Sequence, residues 1–398
     1  MSPSHLTTTA PAAADAGESG GRVPELEGLR AVLAWTVVGA HLLICCGWFG
    51  PNVNGVPLLS QVSEAAVDLF IVLSGFAIGR LLMVEREPIR IYLMRRACRI
   101  LPAYWVALTA AIALNGWLAA NLRLLPPSAD TQGLVMICEI GASRIWIDAT
   151  LHYALLHGLA PVPLLPWAPF TFLGAAWSLS LEWQFYCIAP FALLFVMKKR
   201  FGLALLVLLS IAGLLFADYW MNWVSIAFMG IKGGFLLAGA VTLVASRRSD
   251  NRQPRVWMLL LPSYVAALLW WLGSGRAVEA VLTAAGATAV LAAAFGDRLR
   301  PVSDFLNSRT LQYLGRVSYS TYLFHVPLIT VVQRAIWKFA APQTRLHLFV
   351  WTLLSGVVAT LIVSELSWRY IERPFQRLGR RSAVVHGHQT AAASRLNA

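Results

Sequence analysis

Charge is what this sequence has least of. Only 13% of its 398 residues are Asp, Glu, Lys or Arg, about half the share of an average soluble domain. That shortage excludes an ordinary water-soluble globule, and a hydrophobic content of 58% places the chain in the membrane class. Acidic residues are the scarcer kind, 19 against 32 Lys and Arg, for a formal net charge of +13. In a soluble protein that excess would suggest nucleic acid as a partner. Here the basic residues fall between apolar runs, so the positive-inside rule explains them and no nucleic acid is expected. Cysteine is sparse too. Cys45, Cys46, Cys98, Cys138 and Cys187 have a spacing that fits neither a disulfide framework nor a zinc site. They read as small apolar residues, and no metal is implied. Met1–Val23 has no basic stretch running into an apolar one, so it is not expected to be a cleavable signal. No regular internal repeat is visible.

What the chain has in quantity is long apolar runs. A span needs roughly 20 largely apolar residues, and ten runs qualify or come close. They are Ala31–Phe49, Asp68–Val84, Ile100–Leu122, Phe170–Met197, Phe201–Ala217, Trp223–Ala245, Val256–Gly275, Ala277–Phe295, Val317–Val332 and His347–Trp368. Backbone groups cannot go unpaired in lipid, so each run must be helical. The expected fold is therefore all-α: a polytopic integral membrane protein with about ten transmembrane helices. Residues 1–24 and 378–398 read as polar, disordered tails, and 25–377 as the membrane domain.

The basic residues orient the runs. With the N-terminus inside, the inside segments hold Arg86, Arg90, Arg95, Arg96 and Arg99, then Lys198, Lys199 and Arg200. They also hold Arg247, Arg248, Arg252 and Arg255, then Arg298, Arg300 and Arg309, then the stretch Arg369–Arg381. The outside segments keep only Arg123, Arg144, Arg276, Arg334, Lys338 and Arg345. Both termini are thus expected in the cytoplasm. Ile145–Pro166 resists the scheme. It is moderately apolar but contains Asp148, His152 and His157. As an eleventh span it would move the later basic clusters outside, so it is expected to be a re-entrant or interfacial element on the outer side.

Ionisable residues within spans are functional candidates, with helix packing as the alternative. His41, Glu182, Lys232 and His325 are of this kind, with Asp68 nearer the end of its run and expected at the interface. His41 lies about 15 Å along the first run, near the bilayer midplane. Glu182 is the sole charge in its run. A neutral imidazole steadied by a carboxylate is suited to take the proton of an oxygen nucleophile attacking an acyl carbonyl, or to carry the acyl group itself. The stretch Glu85–Arg99 reads as an inner loop. Its arginines are either a topology signal or a platform for phosphates.

Several blocks of sequence are familiar in combination. Glu25–Arg30 reads ELEGLR, with His41 following Arg30 after ten intervening residues. Val67–Phe76 reads VDLFIVLSGF, Tyr92–Trp105 YLMRRACRILPAYW, and Trp177–Tyr186 WSLSLEWQFY. Gly315–His325 reads GRVSYSTYLFH and Trp368–Phe375 WRYIERPF. Together and in this order they resemble the membrane acyltransferase family called acyltransferase 3, whose members acylate saccharides of the bacterial envelope or secreted small molecules. Glu27 stands where the family usually has Asp. The resemblance implies ten spans in the cytoplasmic (inner) membrane. It implies no bound cofactor, and acyl-coenzyme A, most often acetyl-coenzyme A, as co-substrate. It places the Arg-to-His motif on Arg30 and His41, the Arg-x-x-Arg motif on Arg96 and Arg99, the Ser-Gly-Phe element on Ser74, Gly75 and Phe76, and the motif glutamate on Glu182. The family varies widely in the region that holds Lys232, which is therefore not matched to a motif.

The resulting expectation is a membrane O-acyltransferase. His41 and Glu182 would be catalytic, Arg30, Arg95, Arg96 and Arg99 would hold the donor, and a saccharide or glycolipid would be the acceptor. Asp68, Ser74, Lys232 and His325 are the further candidates. The chain ends soon after the last run, so either the membrane domain completes the transfer or a separate protein does. The rival expectation is a secondary transporter of an acyl compound or saccharide, although inverted repeats and paired broken helices are not visible.

Overall fold

The computed structural model describes residues 24–53, 55–84, 88–197, 223–247, 256–295 and 300–380. Among them the chain is almost wholly helical. Its strands there are confined to one hairpin, β1 (Asn52–Val53) and β2 (Val56–Pro57), paired antiparallel. The amide of Gln61 donates to the carbonyls of Val53 and Val56 at 2.8 and 3.2 Å, tying the hairpin to the next helix.

The helices are α1 (Pro24–Cys45), α2 (Leu58–Gly79), α3 (Ile89–Arg123), α4 (Ala129–Ser143), α5 (Ile145–Tyr153) and α6 (Trp177–Met197). Then come α7 (Met229–Arg247), α8 (Val256–Ser274), α9 (Ala277–Phe295), α10 (Arg300–Leu306), α11 (Arg309–Arg316), α12 (Ser318–Phe339) and α13 (Arg345–Ser367). Each predicted run among the described residues holds one of these helices, and Phe201–Ala217 lies outside them. Four helical stretches are long and apolar enough to cross a membrane: Pro24–Cys45, Leu58–Leu82, Ile89–Arg123 and Arg345–Arg380. Met229–Ala240, Ser263–Leu272 and Ala277–Thr288 are shorter apolar helices. The chain is thus a multi-pass helical membrane protein, and the count of ten rests on the apolar runs alone.

On α13 the buried face is more polar than the exposed one. Along α13 the buried positions Leu348, Thr352, Gly356, Thr360 and Ser364 recur every four residues. The exposed ones include Trp351, Leu354, Val358, Ile362 and Leu366. An amphipathic helix of a soluble protein shows the opposite pattern. Small and hydroxyl residues inside and large apolar ones outside are what packing in lipid selects. Thr321 and Ser320 of α12 accordingly donate to Ser364 and Ser367 at 3.0 and 2.7 Å.

Glycine permits the closest approach. At Gly75 of α2 an added Cβ would lie 2.0 Å from the carbonyl oxygen of Leu236, and at Gly239 of α7 it would lie 2.0 Å from that of Val72. The two helices run side by side with backbones in direct contact.

Three boundaries differ from expectation. The Arg-rich stretch before Ile100 is not a loop, since α3 begins at Ile89 and is 35 residues long, about 52 Å. Apolar content marks where a helix enters lipid, not where its hydrogen bonding begins. Helix α4 was not anticipated, because its 15 residues mix polar and apolar types; it is capped by Ser128, whose Oγ accepts from the Thr131 amide at 3.1 Å. The helix begun at Arg345 passes through a π-turn, Trp368–Glu372, and continues to Arg380, into the stretch read as a tail. Residues 1–23 and 381–398 of the expected tails lie outside the described residues.

The segment 145–176 is not a span. Helix α5 has nine residues, about 14 Å, too short for a hydrocarbon core of about 30 Å. The chain then proceeds through single turns of 3₁₀-helix. Leu155, Trp167 and Phe172 take left-handed φ values of 55°, 64° and 57°, uncommon for residues with a Cβ. Buried side chains hold this path. Ser180 donates to the Leu155 carbonyl at 2.7 Å, and the His152 ring stacks on that of His157 at 4.0 Å. Burial pushes His152 down to about 4, so it is neutral at pH 7, and its Nε2–H donates to the Ala168 carbonyl at 2.9 Å.

Candidate active site

The cavities among the described residues include two that open into the bundle. One, of about 850 Å³, is lined by Arg30 of α1, Ser74 of α2, Arg96 and Arg99 of α3, Ser178, Glu182 and Tyr186 of α6, and Tyr319 and Tyr322 of α12. The other, of about 1600 Å³, is lined by His41 of α1, Glu64 of α2, Asn115 of α3, Asp130 of α4, Phe170 and Trp177, and Tyr322 and Val326 of α12, among others. They are called here the arginine cavity and the histidine cavity.

Helix α1 serves both. Arg30 and His41 are eleven residues apart, about three turns, so they share one helix face about 16 Å apart along the axis. The spacing of the Arg-to-His motif thus puts one residue in each cavity.

In the arginine cavity the carboxylate is held in place. Ser74 donates to Oε1 of Glu182 at 2.6 Å, and the Tyr186 hydroxyl donates to the same oxygen. Arg96 and Arg99 are three apart on α3 and therefore share a face. The Arg96 guanidinium also lies over the Tyr186 ring, 5.5 Å from its centre. The Nε atoms of Arg30 and Arg96 are buried without a hydrogen-bond partner. Three guanidiniums against one carboxylate leave this lining positive. Charge-assisted donors collected in a cleft of low dielectric suit an anion. Arg95 is not part of it; its backbone packs beside Gly379 in the C-terminal helix.

The reactive group lining the histidine cavity is the His41 imidazole, and a second imidazole, that of His325, lies buried beside it. The Nδ1–H of His41 donates to the Val37 carbonyl at 2.9 Å, and that of His325 to the Tyr322 carbonyl at 2.8 Å. A carbonyl can only accept, so Nδ1 carries the proton in each ring and Nε2 is left as the base. The rings meet edge to face, with centroids 5.0 Å apart. His325 is fully buried and its Nε2 has no partner.

The expected pairing of His41 with Glu182 does not form. Glu182 bonds Ser74 and Tyr186 in the other cavity, and the ring beside His41 is His325. Depth along a helix follows from residue count; the neighbour at that depth depends on how helices are rotated about their axes. Asp68 is not interfacial either. It is fully buried, 2.7 Å from Lys232, which also reaches Glu279 at 2.6 Å and Glu64 at 3.8 Å. Arg276 closes the group by pairing with Glu64 and, at 3.3 Å, with Glu279. Lys232 lies over the rings of Trp270 and Trp177 at 4.5 and 5.2 Å. Glu279 was overlooked, although it is the sole charge in its apolar run, a signal identical in kind to that of Glu182. Tyr186 and Tyr322 carried no such signal, because uncharged aromatics are ordinary in spans.

The acyltransferase 3 family, an acyltransferase domain, matches residues 23–369. The chain belongs to that family. It is 25% identical over 394 residues to the peptidoglycan O-acetyltransferase OatA of Listeria monocytogenes, covering 90% of this chain and 56% of OatA. It is 27% identical over 400 residues to the putative peptidoglycan O-acetyltransferase YrhL of Bacillus subtilis, again 90% of this chain and 56% of the relative. It is 27% identical over 387 residues to the putative membrane-bound transacylase BcsY of Komagataeibacter xylinus, 92% and 86% of the two chains. The chain thus spans about half the length of OatA and YrhL. No solved structure matches it. The two cavities are therefore features of an acyltransferase 3 membrane domain.

Proposed function

We propose that the protein moves an acyl group, acetyl by expectation, from acyl-coenzyme A in the arginine cavity to a hydroxyl of a saccharide in the histidine cavity. The observation that carries this reading is that Arg30 and His41 share one face of α1 yet open into different cavities. Family membership favours acyl transfer over the transporter alternative. The positive-inside rule sets the arginine cavity toward the cytoplasm, where acyl-coenzyme A is available, with both termini on that side of the bacterial inner membrane. The histidine cavity then faces the envelope. Its aromatic and amide lining suits a saccharide, and peptidoglycan is the acceptor in the names of OatA and YrhL.

Arg30, Arg96 and Arg99 neutralise the phosphates of the donor, for which bidentate guanidinium contacts are suited. Glu182, fixed by Ser74 and Tyr186, keeps them spread around the cavity. At the far end, Nε2 of His41 takes the proton of the acceptor hydroxyl. The oxygen attacks the thioester carbonyl, the C–O bond forms, and the C–S bond breaks. Coenzyme A leaves as the thiolate and takes up a proton. Among the described residues no carboxylate is bonded to the His41 ring, and the ring of His325 at 5.0 Å supplies an aromatic neighbour for the transient imidazolium.

The test is His41→Ala, assayed as acyl transfer per folded molecule. General-base catalysis contributes about 10²–10⁴-fold, so a loss of at least that size is expected while the protein still inserts and accumulates. Near-normal specific activity would remove His41 from the chemistry. Release of free thiol from acyl-coenzyme A, measured in parallel, tests the donor separately.

A further inference from the structure

We propose that the ring of Tyr322 is the septum between the two cavities and sets the length of acyl group that crosses from donor to acceptor. This rests on the reading above. Among the described residues Tyr322 alone lines both cavities. Its neighbours on α12 show why. Tyr319 lines the arginine cavity and Val326 the histidine cavity. These positions, three before and four after Tyr322, share its helix face. One face of α12 therefore passes from one cavity to the other, with the phenol ring at the crossing.

The hydroxyl is fastened to both walls. It donates to the carbonyl of Ala175, which lines the histidine cavity, and accepts from Oγ of Ser178 at 3.0 Å, which lines the arginine cavity. On the arginine side the ring stands edge-on to Phe70, with centroids 6.1 Å apart. The Tyr322 carbonyl holds the Nδ1–H of His325, so the residue that closes the passage also orients the imidazole beside His41. A ring held at its hydroxyl and packed against Phe70 leaves little space for methylenes between thioester and acceptor. Discrimination against each added methylene in a tight apolar site is about 10–200-fold. Tyr322 is therefore a specificity-determining residue, separate from the groups that move the proton or bind the phosphates.

The experiment uses the full chain reconstituted in liposomes, with purified peptidoglycan fragments as acceptor. Coenzyme A thioesters of two-, four- and six-carbon acids are the donors, and thiol release and ester formation are measured for each. Wild-type protein should favour the two-carbon donor strongly. Tyr322→Ala should raise the six-carbon to two-carbon ratio of kcat/KM by at least about tenfold. Tyr322→Phe keeps the ring and should keep the short-chain preference. A residue that only supports the fold would lower all three rates together and leave the ratio unchanged, and that result overturns the proposal. If the alanine variant does not fold, Tyr322→Leu shortens the septum with less loss of apolar bulk, and its ratio decides. A wild-type protein that uses all three donors equally also overturns it. Failure of the wild type to release thiol from any donor removes the donor reading, and the septum with it.

Discussion

Two groups of buried charge sit in this bundle, and they are built on opposite principles. Around Lys232, every cation has its counter-ion. Lys232 reaches Asp68 and Glu279 within 2.7 Å, and Arg276 pairs with Glu64 and Glu279. The group ties α2, α7 and α9 together where glycines already bring α2 and α7 into backbone contact. In the arginine cavity, Arg30, Arg96 and Arg99 have no ion pair among the described residues, and two of their Nε atoms are buried without partners. The carboxylate of the lining, Glu182, is taken up by a serine and a tyrosine, and Glu372, near Arg30 and Arg99, is bonded by Ser320. A charge left unpaired in low dielectric is unfavourable unless something arrives to neutralise it. The first group is closed and holds helices together; the second is open and suited to an anionic substrate.

The comparison breaks most readily at Lys232. Lys232→Met removes the shared partner of two buried carboxylates, and breaking a buried pair destabilises by about 3–5 kcal/mol. A large fall in the melting temperature of the detergent-solubilised protein is expected. The matched change Arg96→Met should leave that temperature nearly unchanged. Equal melting of both variants would mean that the two groups do not differ as described.

A smaller effect is expected on the donor side. Arg96→Glu and Arg99→Glu should each weaken acyl-coenzyme A binding by about 1.5–3 kcal/mol, the size of one charge-assisted contact. Arg95→Glu should do so far less, because Arg95 lies outside the cavity lining. Isothermal titration with a non-hydrolysable acyl-coenzyme A analogue separates the three. A loss at Arg95 as large as at Arg96 would return the whole stretch to a diffuse electrostatic role.

The smallest effect should come from Ser74→Ala. Glu182 keeps its bond from Tyr186, so about 1 kcal/mol of positioning is lost. A few-fold drop in kcat/KM with unchanged melting is the expected signature. A complete loss of activity would show that Ser74 does more than orient the carboxylate.

By itself the sequence determined the solvent of this protein, its helical class and its family. Scarcity of charge and the apolar runs require lipid around helices, because no other arrangement pairs the backbone there. The motif blocks from Glu25 to Phe375 identified an acyltransferase domain, and the Arg30-to-His41 interval already placed both residues on one helix face. What only the tertiary structure decided is who meets whom. The sequence ranked Glu182 beside His41, yet helix rotation puts Glu182 with Ser74 and Tyr186, and His41 with His325. Lys232, unmatched by any motif, proved to be the centre of an ion-pair network drawn from three helices. Tyr322, one aromatic among many, came to line both cavities. The physical reason is common to all three. Rise per residue is set locally by the helix, so depth is legible in sequence. Azimuth and neighbour are set by the contact of small residues such as Gly75 and Gly239 between helices distant in the chain.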